Sequence, residues 1–330
     1  MMSAAQSTAA AASRASLMLM LTALVWGMSF PWTKSWQLAA VDCPGGELVA
    51  SFTLIGVRLP AALLLLALWQ PRLLFAPTCR EHAVGAIIGG VFFLGFSLQV
   101  WGMAHTTPAL SAFFTSLSSA WVPLIGWMCL RLKVSRLTLA GLLVALAGTA
   151  ILVEGGWKVG LGERLTFLAA LAFAMQILLI DRLGRRVRSS HITASFMGIA
   201  GLLASICAVG IAASGPGLTG WFDWLLHLLS QPAVLVNLGC LILLPTVLGF
   251  HWMNTYQPRV SANRAALIYL LEPVFASILS VGWDYEPMTT HLLLGGILIL
   301  AGNLLVELPG WLRRPKQPLA ELAQGESHQH

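Results

Sequence analysis

The sequence predicts an all-α polytopic membrane protein with ten transmembrane helices, arranged as two inverted five-helix repeats. Three observations lead there. Apolar runs of about twenty residues recur from end to end, each long enough to cross a bilayer. Lysine and arginine gather at alternate connections between those runs. Two separate segments also recur at one offset of 154 residues, from 107 to 261 and from 141 to 295.

Composition excludes a soluble chain of one or two domains. Of the 330 residues 57% are hydrophobic and only 10% charged, and the mean hydropathy is +0.80. The net charge of +6 has a distribution that points to membrane topology rather than to nucleic acid. Of the 19 lysines and arginines, all but Lys34, Arg58, Lys158 and Arg164 fall at alternate connections. Cationic loops stay in the cytoplasm, so both termini are expected inside and the number of spans is even. Cys43, Cys79, Cys129, Cys207 and Cys240 are scattered without ligand spacing and read as small buried residues.

Taken in order, residues 1–14 are an Ala/Ser-rich lead, expected to be disordered and cytoplasmic. Arg14 followed by LMLMLTALVW resembles a signal peptide. The apolar run nevertheless continues to Trp32 without a small-residue cleavage site, so it is the first span. Further spans are predicted at 47–69, 83–104, 107–129 and 136–154, closing a first repeat over 15–154. The second repeat, 155–308, holds spans at 163–182, 191–213, 233–256, 262–283 and 289–308. Prolines at 31, 60, 123, 245 and 273 are expected to interrupt spans one, two, four, eight and nine. The connection between spans seven and eight carries Trp221, Trp224, Leu225 and Leu228, which reads as a short helix lying at the interface, either anchor or lid. Residues 309–330 form a polar cytoplasmic tail.

The repeat rests on paired positions. TPALSAFFTSLSSAWVP overlays SANRAALIYLLEPVFAS, placing Ala112 on Ala266, Leu117 on Leu271 and Ser119 on Pro273. Independently, Gly141 and Gly148 fall on Gly295 and Gly302 at the same offset. Five spans per half is odd, so the second half enters the membrane from the opposite side.

The chain carries none of the enzyme motifs sought, neither GxSxG, HExxH nor a phosphate-binding glycine loop, and no cofactor or metal is expected. Attention falls on polar and aromatic residues inside spans. In span nine, Glu272 is a carboxylate in an apolar run, and Pro273 deprives the Tyr269 carbonyl of its usual partner. Both groups belong against protein or a water-lined cavity. Glu272 either takes part in proton or solute movement or pairs with Arg264. His251 in span eight either titrates in the pathway or is a neutral histidine bonded to a carbonyl. Arg58, about a third of the way into span two from the outer side, is read as structural, with an anionic contact as the alternative. Trp26 and Ser29, Phe96, Gln99 and Trp101, and Gln176 complete the set. Phe92, Phe96, Gln99 and Met103 share one face of span three, which Gln99 assigns to the interior.

LTALVWGMSFPWTK, Arg58, SAFFTSLSSAWVPLIG, AALIYLLEPVFASILS and GGILILAGNLLVE resemble the EamA-type ten-helix permeases of the drug/metabolite transporter superfamily. The resemblance covers nearly the whole membrane region. The family often has a Gly-Glu pair after spans four and nine; here the first place reads CLRLKVS, and the second has Glu286 without the glycine. The resemblance implies a bacterial inner-membrane permease that moves small metabolites such as amino acids, with a small-molecule substrate and the lipid bilayer as partners.

Overall fold

The computed structural model describes residues 2–70, 78–130, 135–152, 160–183, 189–257 and 268–312, and among them the chain is helical without a strand. Among the described residues, seven helices are long and apolar enough to cross a membrane. Three more apolar helices, Arg136–Ile151, Glu272–Gly282 and Thr290–Val306, are shorter over the described residues. The chain is a multi-pass membrane protein.

The elements follow the apolar runs. In chain order these are α1 (Met2–Ala39), α2 (Gly46–Trp69), α3 (Cys79–Gly102), α4 (Pro108–Ser116), α5 (Ser118–Leu130) and α6 (Arg136–Leu152). There follow α7 (Leu161–Leu183), α8 (Ser189–Ser214), α9 (Leu218–Ser230) and α10 (Pro232–Leu241). A π-helical segment, Ile242–Leu248, joins α10 to α11 (Gly249–Tyr256), and α12 (Glu272–Gly282) and α13 (Thr290–Leu312) complete the order. Because α1 starts at Met2, the alanine-rich lead is helical rather than irregular, in keeping with the high helix propensity of alanine. Cys79, expected to be buried, is exposed in the first turn of α3. That turn is fixed by a capping box in which Thr78 and Glu81 satisfy each other's backbone amides.

The expected proline breaks are only partly present. Pro31, Pro60 and Pro123 lie within helices that continue through them. Span four breaks at Leu117 instead, between α4 and α5. The cause is a run of hydroxyls competing for carbonyls. Thr115 donates to Ser111 O, Ser116 to Phe113 O and Ser119 to Ser116 O. The Ala120 amide turns to Leu117 O at 3.0 Å, and Asn303 of α13 donates to the Ser116 carbonyl at 3.1 Å. Span nine breaks as well: Ile268 and Tyr269 are helical, Leu270 and Leu271 form a turn, and α12 restarts at Glu272 with Pro273 in its first turn. Proline is well placed there, since its missing N–H falls among the amides that lack partners at a helix start. The 11 residues of α12 rise about 16 Å at about 1.5 Å each, roughly half a hydrocarbon core.

Packing joins the halves throughout. The most extensive helix pair is α6 with α13, followed by α2 with α8 and by α3 with both α7 and α8. α1 lies against α10, the π segment, α11 and α12, while α4 packs on α12 and α7. α6 and α13 run antiparallel with their backbones nearly touching. A Cβ on Gly141 would sit 2.6 Å from Gly302 O, and one on Gly148 would sit 2.8 Å from Gly295 O. Only glycine allows that approach. α9 buries Leu225 and Leu228, donates from Trp221 Nε1 to Thr53 at 3.2 Å, and leaves Phe222 and Leu226 exposed.

Candidate functional site

Seven side chains from α1, α3, α7, α8, α11 and span nine form a continuous aromatic cluster. Phe92 and Phe96, one turn apart on α3, stack at 5.1 Å. Phe92 also meets Phe196 of α8 edge-on at 5.1 Å and Phe173 of α7 at 6.2 Å. Phe250 of α11 lies 5.6 Å from Phe196 and 5.7 Å from Trp26 of α1, whose ring is 5.4 Å from Tyr269. These spacings fall within the range where offset and edge-on ring pairs attract.

Arg58 closes one side of the cluster. It lies midway along α2, twelve residues from Gly46 and eleven from Trp69, rather than about a third of the way in as expected. Its side chain is 5% exposed, so it does not snorkel to an interface. Nε donates to Thr246 Oγ1 at 2.8 Å, and the guanidinium carbon lies 5.2 Å from the Phe96 ring centroid. The structure thus gives it a side-chain hydroxyl as partner.

The acceptor is built by the π-helical segment. Pro245 has no N–H to offer Leu241 O, and the Thr246 hydroxyl takes that carbonyl at 2.8 Å. Its proton committed, the Thr246 oxygen is free to accept from Arg58. The π register also carries the Gly249 amide to Leu244 O, and Trp26 Nε1 donates to the neighbouring Pro245 O at 2.9 Å. A Cβ on Gly249 would come within 2.6 Å of that indole nitrogen. One wide turn therefore orients both Arg58 and Trp26, and such π-bulges recur at functional positions.

On the other side of Trp26, Tyr269 donates to Gln257 Oε1 at 3.1 Å and lies near the half-buried Glu272. Among the described residues, the Glu272 carboxylate has no hydrogen bond or ion pair. Arg264, its expected partner, lies outside the described residues. The restart of α12 is packed hard on α1: a Cβ on Gly27 would meet Glu272 O at 2.9 Å.

Other expected site residues are placed elsewhere. Ser29 bonds back to Trp26 O within α1. Gln99 is buried and donates to Thr115 at 2.9 Å, beside the break in span four. Gln176 is half-buried on α7, one turn beyond Phe173. His251 faces the far end of α2, 3.3 Å from Gln70 and with its ring 4.5 Å from Trp69. Trp101 lies at the opposite end, edge-on to His105. The site therefore gathers Trp26, Phe96, Tyr269, Glu272 and Arg58, and leaves Trp101 and His251 at the two ends.

A second polar group closes the end where α1 meets α2. Lys34 Nζ donates to the carbonyls of Met103, Ala104 and Thr106 at 2.9, 3.3 and 2.9 Å, capping α3 with a cation. Glu286 accepts from Thr107 Oγ1 at 2.6 Å and from the Ala109 amide at 3.0 Å, capping α4 from across the bundle, and also from Ser280. Thr106 donates to Glu163 at 2.6 Å, and His105 pairs with Glu47 at 2.7 Å. Lys34 is thus a helix-borne residue, not one of a loop. Sequence reasoning missed the roles of Lys34, Thr246 and Phe250. The one signal available was a hydroxyl directly after a proline inside an apolar run.

Residues 160–308 match the EamA-like transporter family. The chain is 25% identical over 309 residues to an uncharacterised transporter of Archaeoglobus fulgidus, covering 89% of this chain and 86% of that protein. It is 24% identical over 299 residues to the uncharacterised transporter YvbV of Bacillus subtilis, covering 89% and 91%. A solved crystal structure shares the fold with a TM-score of 0.54 at 20% identity, over 92% of this chain and 99% of the other.

Proposed function

From the premise that the chain is an EamA-type permease of the drug/metabolite transporter superfamily, a membrane transporter, we propose that it exports small organic metabolites, amino acids among them, across the bacterial inner membrane by alternating access. The observation that carries this reading is the pair of broken helices. Spans four and nine leave helical register at Leu117 and at Leu270–Leu271, and Leu117 and Leu271 are 154 positions apart (271 − 117). The two broken spans pack on each other through α4 and α12, beside the aromatic cluster. Irregular backbone inside a membrane is tolerated where it faces protein or a water-filled cavity, and transporters place their solute sites at such breaks.

An inverted repeat of five and five spans is part of the proposal. Exchanging the halves carries Gly141 to Gly295 and Gly302 to Gly148, so one close contact of α6 with α13 becomes the other. A sequence repeat whose register coincides with an antiparallel contact supports a two-fold axis lying in the membrane plane. With both termini cytoplasmic, the end closed by Lys34 and Glu286 faces outward.

The test is uptake and counterflow by purified protein in liposomes, screened over labelled amino acids and other small metabolites with and without a pH gradient. Movement of at least one solute above empty liposomes, saturable and competed by unlabelled solute, is expected. Rates equal to empty liposomes across the whole screen would remove the proposal.

A further inference from the structure

The guanidinium of Arg58 is short of partners for a buried charge. It is 5% exposed, yet its recorded contacts are one hydrogen bond from Nε and the face of Phe96. Among the described residues no carboxylate lies within ion-pair distance, and its two terminal amino groups have no hydrogen-bond acceptor. Burying a cation in that condition is unfavourable unless a counter-charge arrives, and an intramembrane ionisable group at the bundle interior marks a solute or ion route by default. The side chain is also held in a fixed orientation. Thr246 fixes Nε, Leu241 O fixes Thr246, and Phe96 supports the guanidinium face. With Nε occupied, the edge left for a ligand is the one carrying the two terminal amino groups, whose N–H bonds can meet both oxygens of a carboxylate. From Phe96 the rings continue: Phe92 stacks on Phe96, and Phe250 meets Phe92 at 6.5 Å.

We propose that Arg58 binds the carboxylate of an organic solute whose apolar or aromatic body lies against Phe92, Phe96 and Phe250. This rests on reading the chain as a transporter whose solute reaches the aromatic cluster, and it adds to that reading a requirement for a carboxylate. The buried aromatic surroundings strengthen the charge-assisted contact and select an apolar body. Inorganic anions lack that body, and amines meet a like charge.

The experiment uses full-length protein and separates binding from movement. Binding is measured in detergent as thermal stabilisation by phenylacetate, indole-acetate and hexanoate, against phenylacetamide and phenethylamine. Movement of the same compounds is measured in liposomes. At least one carboxylate is expected to stabilise the wild type, with its matched amide or amine at least about ten-fold weaker. Arg58→Lys keeps the charge but loses the fork, and should weaken carboxylate binding about ten-fold while retaining the preference over the amine. Thr246→Val removes the orienting acceptor, together with the hydroxyl bond to Leu241 O, leaves Arg58 itself unchanged, and should weaken it about three-fold. These two variants keep the test open if Arg58→Gln does not fold. Stabilisation by none of the carboxylates, equal stabilisation by the amide, or carboxylate binding unchanged in both Arg58→Lys and Thr246→Val overturns the proposal and leaves the transporter reading standing. Arg58-dependent binding of a carboxylate with no movement of any solute in liposomes overturns the transporter reading and leaves the site.

Discussion

Asn303 shows how much one buried amide can hold in place. It is fully buried on α13 and donates to Ser116 O at 3.1 Å and to Ser116 Oγ at 3.2 Å, meeting the carbonyl that the break in span four leaves exposed. Asn303→Ala removes one of the two donors to that carbonyl, the other being the Ser119 hydroxyl, at a cost of about 0.5–1.5 kcal/mol. A lower melting temperature in detergent is expected, while Asn303→Asp, which offers no amide, should fall at least as far. Glu272 belongs to a different class of residue, since it sits at the restart of a helix beside Tyr269 with no bond of its own among the described residues. Glu272→Gln should leave folding and insertion intact, lower the initial transport rate, and flatten its dependence on pH between about 5 and 8. Normal rates at every pH would make it a structural residue. Charges inside apolar runs are visible without a structure, which is why Arg58 and Glu272 stood out. Thr246 and Lys34 did not, because their partners lie 188 and 69 to 72 residues away and nothing local announces them.

At the scale of the element, hydropathy located the helices well and located their defects poorly. The expected spans 47–69, 163–182 and 191–213 agree to within a few residues with α2, α7 and α8. Hydrophobic length is a local property, so it survives into the structure unchanged. Breaks depend on what replaces a lost backbone bond. Pro60 stays within a continuous α2 where the ring packs against Gly201 of α8, whereas Leu117, an unremarkable residue, marks a break because three hydroxyls and Asn303 compete for the carbonyls around it. The α6–α13 pair yields the sharpest prediction here. Gly141→Leu pushes a side chain into Gly302 O and Val306 N, at 2.6 and 2.8 Å from the first added carbon, and both are backbone atoms that cannot rotate aside. The variant should lose most of its folded yield in size-exclusion chromatography. Leu143→Val, on the same helix but 67% exposed, should retain it.

At the scale of the whole molecule, one end of the bundle is tied together by polar side chains. The end with Lys34 and Glu286 ties α1, α3, α4 and α12 together through two helix caps, so separating those helices there breaks several bonds at once. Glu286→Gln keeps the shape of the side chain but removes its charge and turns one of its two acceptor oxygens into a donating amide, so the contacts lose their charge assistance. Ser111 is fully buried on α4 here. A cysteine in its place should be inert to an impermeant thiol reagent in the parent and become labelled from outside in Glu286→Gln. Equal labelling in both would mean that this cap does not hold the end shut. Topology has its own check: a cysteine at Ser189 should stay unlabelled from outside intact cells. The glycine contact of α6 with α13 reaches further than stability. On the duplicated-half reading, the patch around Gly141 and Gly148 meets a copy of itself, Gly295 and Gly302, in reversed direction. Such a surface is self-complementary, so an ancestor only one half as long had what it needed to assemble as an isologous dimer, one subunit inserted each way up, before fusion fixed the pair in a single polypeptide.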